Sequence, residues 1–306
     1  MSIRHRTRGA GIPGGATPPW PNLFIVGAAK AATTSLWHYL DRHPDVYMSP
    51  VKEPHFFSGY TPVSGGPAVH DEAAYLQLFA NGAQHRVRGE ASPSYLRHAE
   101  VPAAIRRVAP DARIVIVLRE PIDRAYSWFL YARRLGFERR SFLDAVRAEL
   151  SVPLDPTCFP SHVARSLYAE AVARWLAEFG ASALVLLFDD LATDQRTQVR
   201  AVFDLVGIDP SVADAIDPEH HNSFAQPRNG PSGRLIASAH ARSLGRAIVP
   251  ARLRPRIERL LLAPAPKPEL DPTARQVLEE LFRPDVARLE EILGRRLPWT
   301  TARSVS

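Results

Sequence analysis

The stretch FIVGAAKAATTSLWHYL, Phe24 to Leu40, decides the fold. It opens as an apolar strand, breaks at Gly27, and passes through small residues into a helical pattern. Strand, glycine turn and helix N-terminus in that order make a phosphate loop. The first turn of a helix offers unpaired backbone N–H groups and a positive dipole end. Ala28, Ala29, Ala31 and Ala32 are small enough to let a phosphate approach. Thr33 and Thr34 can place hydroxyls on its oxygens, and Lys30 adds a mobile cation. A nucleotide-hydrolysing loop needs its lysine directly before the hydroxyl residue; here Lys30 stands three residues before Thr33. The plainer reading is a tight strand–helix turn capped by Thr33, and the loop alone leaves both open.

Outward from this loop, five short apolar runs predict buried strands at residues 23–26, 46–48, 87–89, 114–118 and 184–188. RIVIVLRE and ALVLLFDD are continuous rather than alternating, as in strands covered on both faces. Helical patterns fall between them at residues 34–41, 73–79, 101–109, 122–135, 142–149, 167–179 and 197–206. Alternation of this kind predicts an α/β fold: a single P-loop-like domain over residues 21–300 with a central parallel sheet flanked by helices. Ligands of such sheets bind beyond the carboxyl ends of the strands, where Gly27, Arg119 and Asp189 stand. Past about residue 210 no further strand is expected, and closing helices end the domain.

The chain has 306 residues and a formal net charge of +6. A basic balance favours anionic partners, although an arginine-rich, lysine-poor composition also follows from GC-rich coding. Cys158 is the one cysteine, so no intrachain disulfide forms, and nothing around it has metal-ligand spacing. Residues 1–20 are basic and rich in Gly and Pro without an apolar h-region, and read as a flexible leader; residues 301–306 read as a tail. No run approaches the roughly 18 apolar residues of a membrane span, so the expected location is cytoplasmic.

A second anion grip is written in VIVLREPIDRAYSWFLYARR. Arg119 ends a buried strand, and Pro121 starts a helix on which Arg124 and Ser127 share a face. A strand-end arginine with a helical serine can hold a separate phosphate; a salt-bridged Arg119 and a surface Ser127 is the alternative. Two grips on one crevice suit a nucleotide phosphorylated at two distant places.

Here the sequence resembles a known family. GAAKAATTSLW is similar to the 5′-phosphosulfate loop of sulfotransferases, and REPIDRAYS to their 3′-phosphate motif. PVKEPHFF, Pro50 to Phe57, resembles a segment of the heparan-sulfate type and of bacterial relatives. The resemblance runs over residues 22–299 and also takes in GEASPSYL, SLYAEAVARWLAEFG and FRPDVARLEEILGRRLPW. It implies 3′-phosphoadenosine 5′-phosphosulfate (PAPS) as donor and 3′,5′-adenosine bisphosphate (PAP) as product. It implies that Gly27, Ala28, Lys30, Ala31, Ala32, Thr33, Thr34 and Ser35 meet the 5′ end, and that Arg119 and Ser127 meet the 3′-phosphate. PRNG, with Arg228 and Gly230, would close over the nucleotide. Lys30 would stabilise charge on the bridging oxygen, and Glu53 would be the general base, with His55 the second candidate. No metal is implied. Expected acceptors are a small molecule, glycan or glycolipid.

Two departures stand out. Ala32 takes the place of the usual glycine, and Ala91 that of a lysine common in heparan-type enzymes, which weakens a glycosaminoglycan assignment. Glu90 reads as structural. Other readings are a small-molecule kinase using ATP and Mg²⁺, with Asp189 as metal ligand, and a non-enzymatic anion-binding module. The basic segment from Arg234 to Arg256 could meet a membrane surface peripherally but lacks a nucleic-acid signature, so no nucleic-acid partner is expected. Acceptor contacts are expected in residues 58–70 and 135–165.

Overall fold

The computed structural model describes residues 19–63, 66–216, 225–227, 262–264 and 267–299. The chain runs β1 (Leu23–Gly27), α1 (Thr33–Leu40), β2 (Val46–Met48), α2 (Glu72–Gln77), β3 (Val87–Ala91), α3 (Val101–Val108) and β4 (Arg113–Leu118). It continues with α4 (Pro121–Arg134), α5 (Phe142–Leu150), α6 (Ala169–Phe179), β5 (Ala183–Leu187), α7 (Phe188–Thr193) and α8 (Gln195–Val206). Then come β6 (Ala225–Pro227), β7 (Leu262–Pro264) and α9 (Pro272–Leu293).

The five predicted strands form one parallel sheet in the order β2-β3-β1-β4-β5. Every residue of β1 is buried, as are the last five of β4. This is why those runs are continuously apolar: helices cover both faces. From β1 the chain turns through α1 toward β2, whereas from β4 it turns the other way toward β5. Right-handed crossovers in opposite directions place their helices on opposite faces. They also leave a crevice between the carboxyl ends of β1 and β4, the switch point at which α/β sheets bind ligands. α1 and α8 pack together on the sheet, while α3 and α9 each pack against α6. Among the described residues no helix is long and apolar enough to cross a membrane.

The expectation that strands stop near residue 210 is corrected. β6 and β7 pair antiparallel, Gln226 opposite Ala263. Three-residue strands that each end in proline carry too few residues to show an alternating pattern, and proline suits a strand end. Residues 1–18, Arg228, Gly230, the segment from Arg234 to Arg256, and the tail lie outside the described residues.

Candidate functional site

The β1–α1 loop is built on a close approach. A Cβ added to Gly27 would stand 2.6 Å from Leu96 Cβ, so only glycine fits at the strand end. Lys30 and Ala32 then adopt left-handed backbone, with φ of 75° and 62°. At Ala32 this explains why a glycine is usual, since a Cβ is disfavoured there. Ala32, and not Thr33, is the N-cap, and no side chain caps α1. By contrast Asp71, Glu120, Ser141, Asp194 and Asp271 each cap their own helix with a side-chain oxygen. The N-terminus of α1 is thus left open to the crevice.

β4 joins the loop directly. Arg119 Nη1 donates to the Lys30 carbonyl at 3.2 Å, and its guanidinium lies 4.3 Å from the Phe188 ring centroid. Its Nε is buried without a hydrogen-bond partner. Lys30 Nζ sits 4.7 Å over the Tyr131 ring. Burial, with the charges of Arg134 and Arg119, lowers the Lys30 ammonium to about 8. A cation pressed by two further cations fits an anionic ligand. Arg124 does not share in this grip, contrary to its helical spacing with Ser127. It is buried, with Nε donating to Ser166 Oγ at 2.6 Å and Nη2 to the His162 carbonyl at 2.6 Å. Ser127 remains partly exposed on α4.

The KEPHFF segment docks on the end of β3. Glu53 N–H donates to the Ala91 carbonyl at 3.0 Å, and His55 N–H to Ser92 Oγ at 3.1 Å. Ser92 Oγ in turn donates to the buried Glu90 carboxylate, which also accepts from the hydroxyls of Tyr75 and Tyr95. Glu90 is therefore structural as expected: it anchors the segment that carries Glu53 and His55. Phe56 stacks on Tyr75 with centroids 4.3 Å apart, and Phe57 packs with Trp20. Glu53 and His55 also take left-handed backbone, with φ of 61° and 56°. Among the described residues, every non-glycine with positive φ is at this site, and backbone strain of this kind clusters at functional positions.

Glu53 is ion-paired with Lys52 and lies 3.7 Å from His55 Nε2. Burial raises its carboxyl, but Lys52, His55 and Lys30 outweigh that and hold it below the ordinary value. His55 Nδ1 is 2.7 Å from Ser94 Oγ, and burial, only partly opposed by Glu53, lowers its imidazole to about 4. At neutral pH the pair is a carboxylate and a neutral imidazole.

Lys30, Thr33, Thr34, Glu53 and His55 line one cavity of about 240 Å³. Arg97, Arg134 and Arg165 line it too, so with Lys30 four cations face the single carboxylate of Glu53. Of the other expected donor contacts, Gly27, Ala31 and Ser35 are buried beside the cavity, Ala28 lines the neighbouring one, and Arg119 lies behind the Lys30 carbonyl. Sequence reasoning missed Tyr131 and Arg134, although Trp128, Tyr131 and Arg134 recur at a helical spacing that would have shown their common stripe. Arg97 and Arg165 sit on short 3-10 turns, where no periodicity marks them.

The sulfotransferase domain profile matches residues 21–251 of this chain. The chain belongs to the PAPS-dependent sulfotransferase family. Its sulfotransferase fold is shared with the crystal structure of a sulfotransferase from Alicyclobacillus acidocaldarius, at 31% identity and a TM-score of 0.66, covering 91% of this chain and 97% of that one. Among curated relatives, mouse heparan sulfate glucosamine 3-O-sulfotransferase 3B1 is 26% identical over 94% of this chain and 66% of its own length. Human bifunctional heparan sulfate N-deacetylase/N-sulfotransferase 1 is 25% identical over 91% of this chain. The chain thus spans just under two thirds of the first relative and 30% of the second.

Family membership removes the reason for a kinase reading. Asp189, the carboxylate such a reading needs for Mg²⁺, is exposed on α7. No group of three or more His, Cys, Asp or Glu suited to a metal occurs among the described residues.

Proposed function

We propose that this chain transfers a sulfuryl group from PAPS to a hydroxyl, in preference to an amine, of a carbohydrate, glycolipid or secondary-metabolite acceptor. The observation that supports the reading is the bond from Arg119 to the Lys30 carbonyl, which brings the two expected anion-binding motifs together at the switch-point crevice. Lys30, Thr33 and Thr34 hold the 5′ end of the donor, and Arg119 with Ser127 holds its 3′-phosphate. The donor supplies a sulfuryl group on a phosphate leaving group. Glu53 takes the acceptor proton as the acceptor oxygen becomes a nucleophile, and Lys30 offsets the negative charge that develops on the leaving side. His55, neutral and held by Ser94, stands 3.7 Å from the Glu53 carboxylate as the second candidate base. The relatives named for heparan sulfate make a glycan one acceptor class; Ala91, buried at the end of β3, leaves out the lysine of the heparan type.

Thermal melting with PAP, 5′-AMP, and ATP plus Mg²⁺ tests the donor assignment. PAP at about 100 times its dissociation constant should add about 2.7 kcal/mol of stability, a shift of several degrees. A shift with ATP and Mg²⁺ but not with PAP would overturn it.

A further inference from the structure

The cavity holds more positive charge than the donor end accounts for. Arg165 is only 8% exposed. Its Nε and Nη2 donate to the carbonyls of Pro156 and Cys158, and its guanidinium lies 4.8 Å from the Trp128 ring centroid. Its Nη1 is buried without a partner. Arg97 lies 4.4 Å over the Tyr60 ring, and its Nε and Nη2 are likewise buried and unpartnered. Neither arginine forms a salt bridge among the described residues. The nearby Glu149 carboxylate is already engaged, accepting from Ser161 Oγ and the backbone N–H groups of His162, Val163 and Ala164. Those bonds fix the turn that carries Arg165. Buried, charged N–H groups left unpaired are costly and rare in folded proteins. Two guanidiniums that line one cavity, each with N–H groups that no protein acceptor satisfies, suit an oxyanion.

We infer that Arg97 and Arg165 clamp an oxyanionic group of the acceptor, a carboxylate or a sulfate, beside the hydroxyl that Glu53 deprotonates. This rests on the sulfuryl-transfer reading above and narrows its acceptor to a hydroxyl compound that already carries a negative charge. The pair lines the cavity that holds Glu53 and His55, from which the acceptor proton leaves, and also borders the adjoining cavity lined by Ala28 and Ala29. Lys30 and Arg119, on the strand-end loops, serve the donor. Burial lowers both guanidiniums from their ordinary value, joined at Arg97 by the charge of Arg165 and opposed at Arg165 by Tyr60 and Glu149.

The test uses the full chain saturated with PAP, which fills the donor site. Binding of p-nitrophenyl β-D-glucuronide, p-nitrophenyl β-D-glucoside and inorganic sulfate is measured by calorimetry at constant ionic strength. The two glycosides differ at one position, carboxylate against hydroxymethyl. The expected result is at least tenfold tighter binding of the glucuronide than of the glucoside, or saturable binding of sulfate. The first marks a carboxylate acceptor and the second a sulfated one. Arg97→Gln and Arg165→Gln should each weaken that anion binding tenfold or more while keeping the PAP-induced melting shift, which shows that both variants fold. The inference is overturned if neither anion binds in preference to the glucoside, if both variants keep the preference, or if PAP abolishes it, since the arginines would then belong to the donor. A wild type that shows no PAP shift fails the donor reading separately, and anion preference is then read on the chain without PAP.

Discussion

Lys30 faces an anion site while pressed by Arg134 and Arg119, and this sets a pH limb. A lysine is charged below its pKa and neutral above it. With the folded value lowered to about 8, the free enzyme loses this charge as pH rises through about 8. The kcat/KM for PAPS should therefore fall above that pH, whereas kcat should hold to higher pH, because a bound anion restores the ammonium. Initial rates from pH 6 to 10 check this, and a flat kcat/KM to pH 9.5 would refute it. Glu53 is held below the ordinary carboxylate value and is already ionised well below neutrality. Glu53→Gln should lower kcat by about 10²–10⁴-fold, the usual worth of a general base, with the PAP-induced shift intact. A retained kcat would move the base to His55.

At the scale of the element, the β1–α1 loop holds two positions whose substitutions should act with opposite sign. Ala32 occupies left-handed backbone, which costs a residue with a Cβ roughly 1–2 kcal/mol. Glycine returns about 0.5–1 kcal/mol of that through its freer unfolded chain. Ala32→Gly should thus raise stability by up to about 1.5 kcal/mol, read as a higher denaturant midpoint. Gly27→Ala should destabilise by about 1–3 kcal/mol, the range for overpacking, because the new methyl meets Leu96 Cβ. Equal effects of the two changes would show that the loop lacks this geometry.

Across the whole molecule, the crevice depends on a helix far away in sequence. Asp285, on α9, accepts from the backbone N–H groups of Tyr168 and Ala169 at 2.7 and 3.2 Å, and so caps α6 from outside. Tyr168 then donates its hydroxyl to the Arg119 carbonyl at 3.0 Å. Asp285→Ala should cost about 1–2 kcal/mol, the range of a lost N-cap, and should also shrink the PAP-induced melting shift, because Arg119 loses its support. A lower melting temperature with unchanged PAP affinity would confine Asp285 to stability.

The amino-acid order alone determined what is local or strongly periodic. β1, β4 and β5 show as continuous apolar runs because helices cover the sheet, whereas β3, VRGEA, carries Arg88 and Glu90 and shows more weakly. The Gly27–Lys30 loop, REPIDRAYS and KEPHFF show because each keeps its chemistry within a dozen residues. Tertiary structure alone decided which charges meet. Arg124 and Arg165 look alike in sequence, yet Arg124 is held by Ser166 and His162, while Arg165 keeps one nitrogen without a partner. Arg97 reaches the same cavity as Arg165 from a turn 68 positions earlier. Left-handed backbone at Lys30, Ala32, Glu53 and His55 is equally invisible in composition, since none of these residues favours it. It is imposed by the close approach of β1 to Leu96 and by the docking of KEPHFF on β3, contacts between segments that only the folded chain brings together.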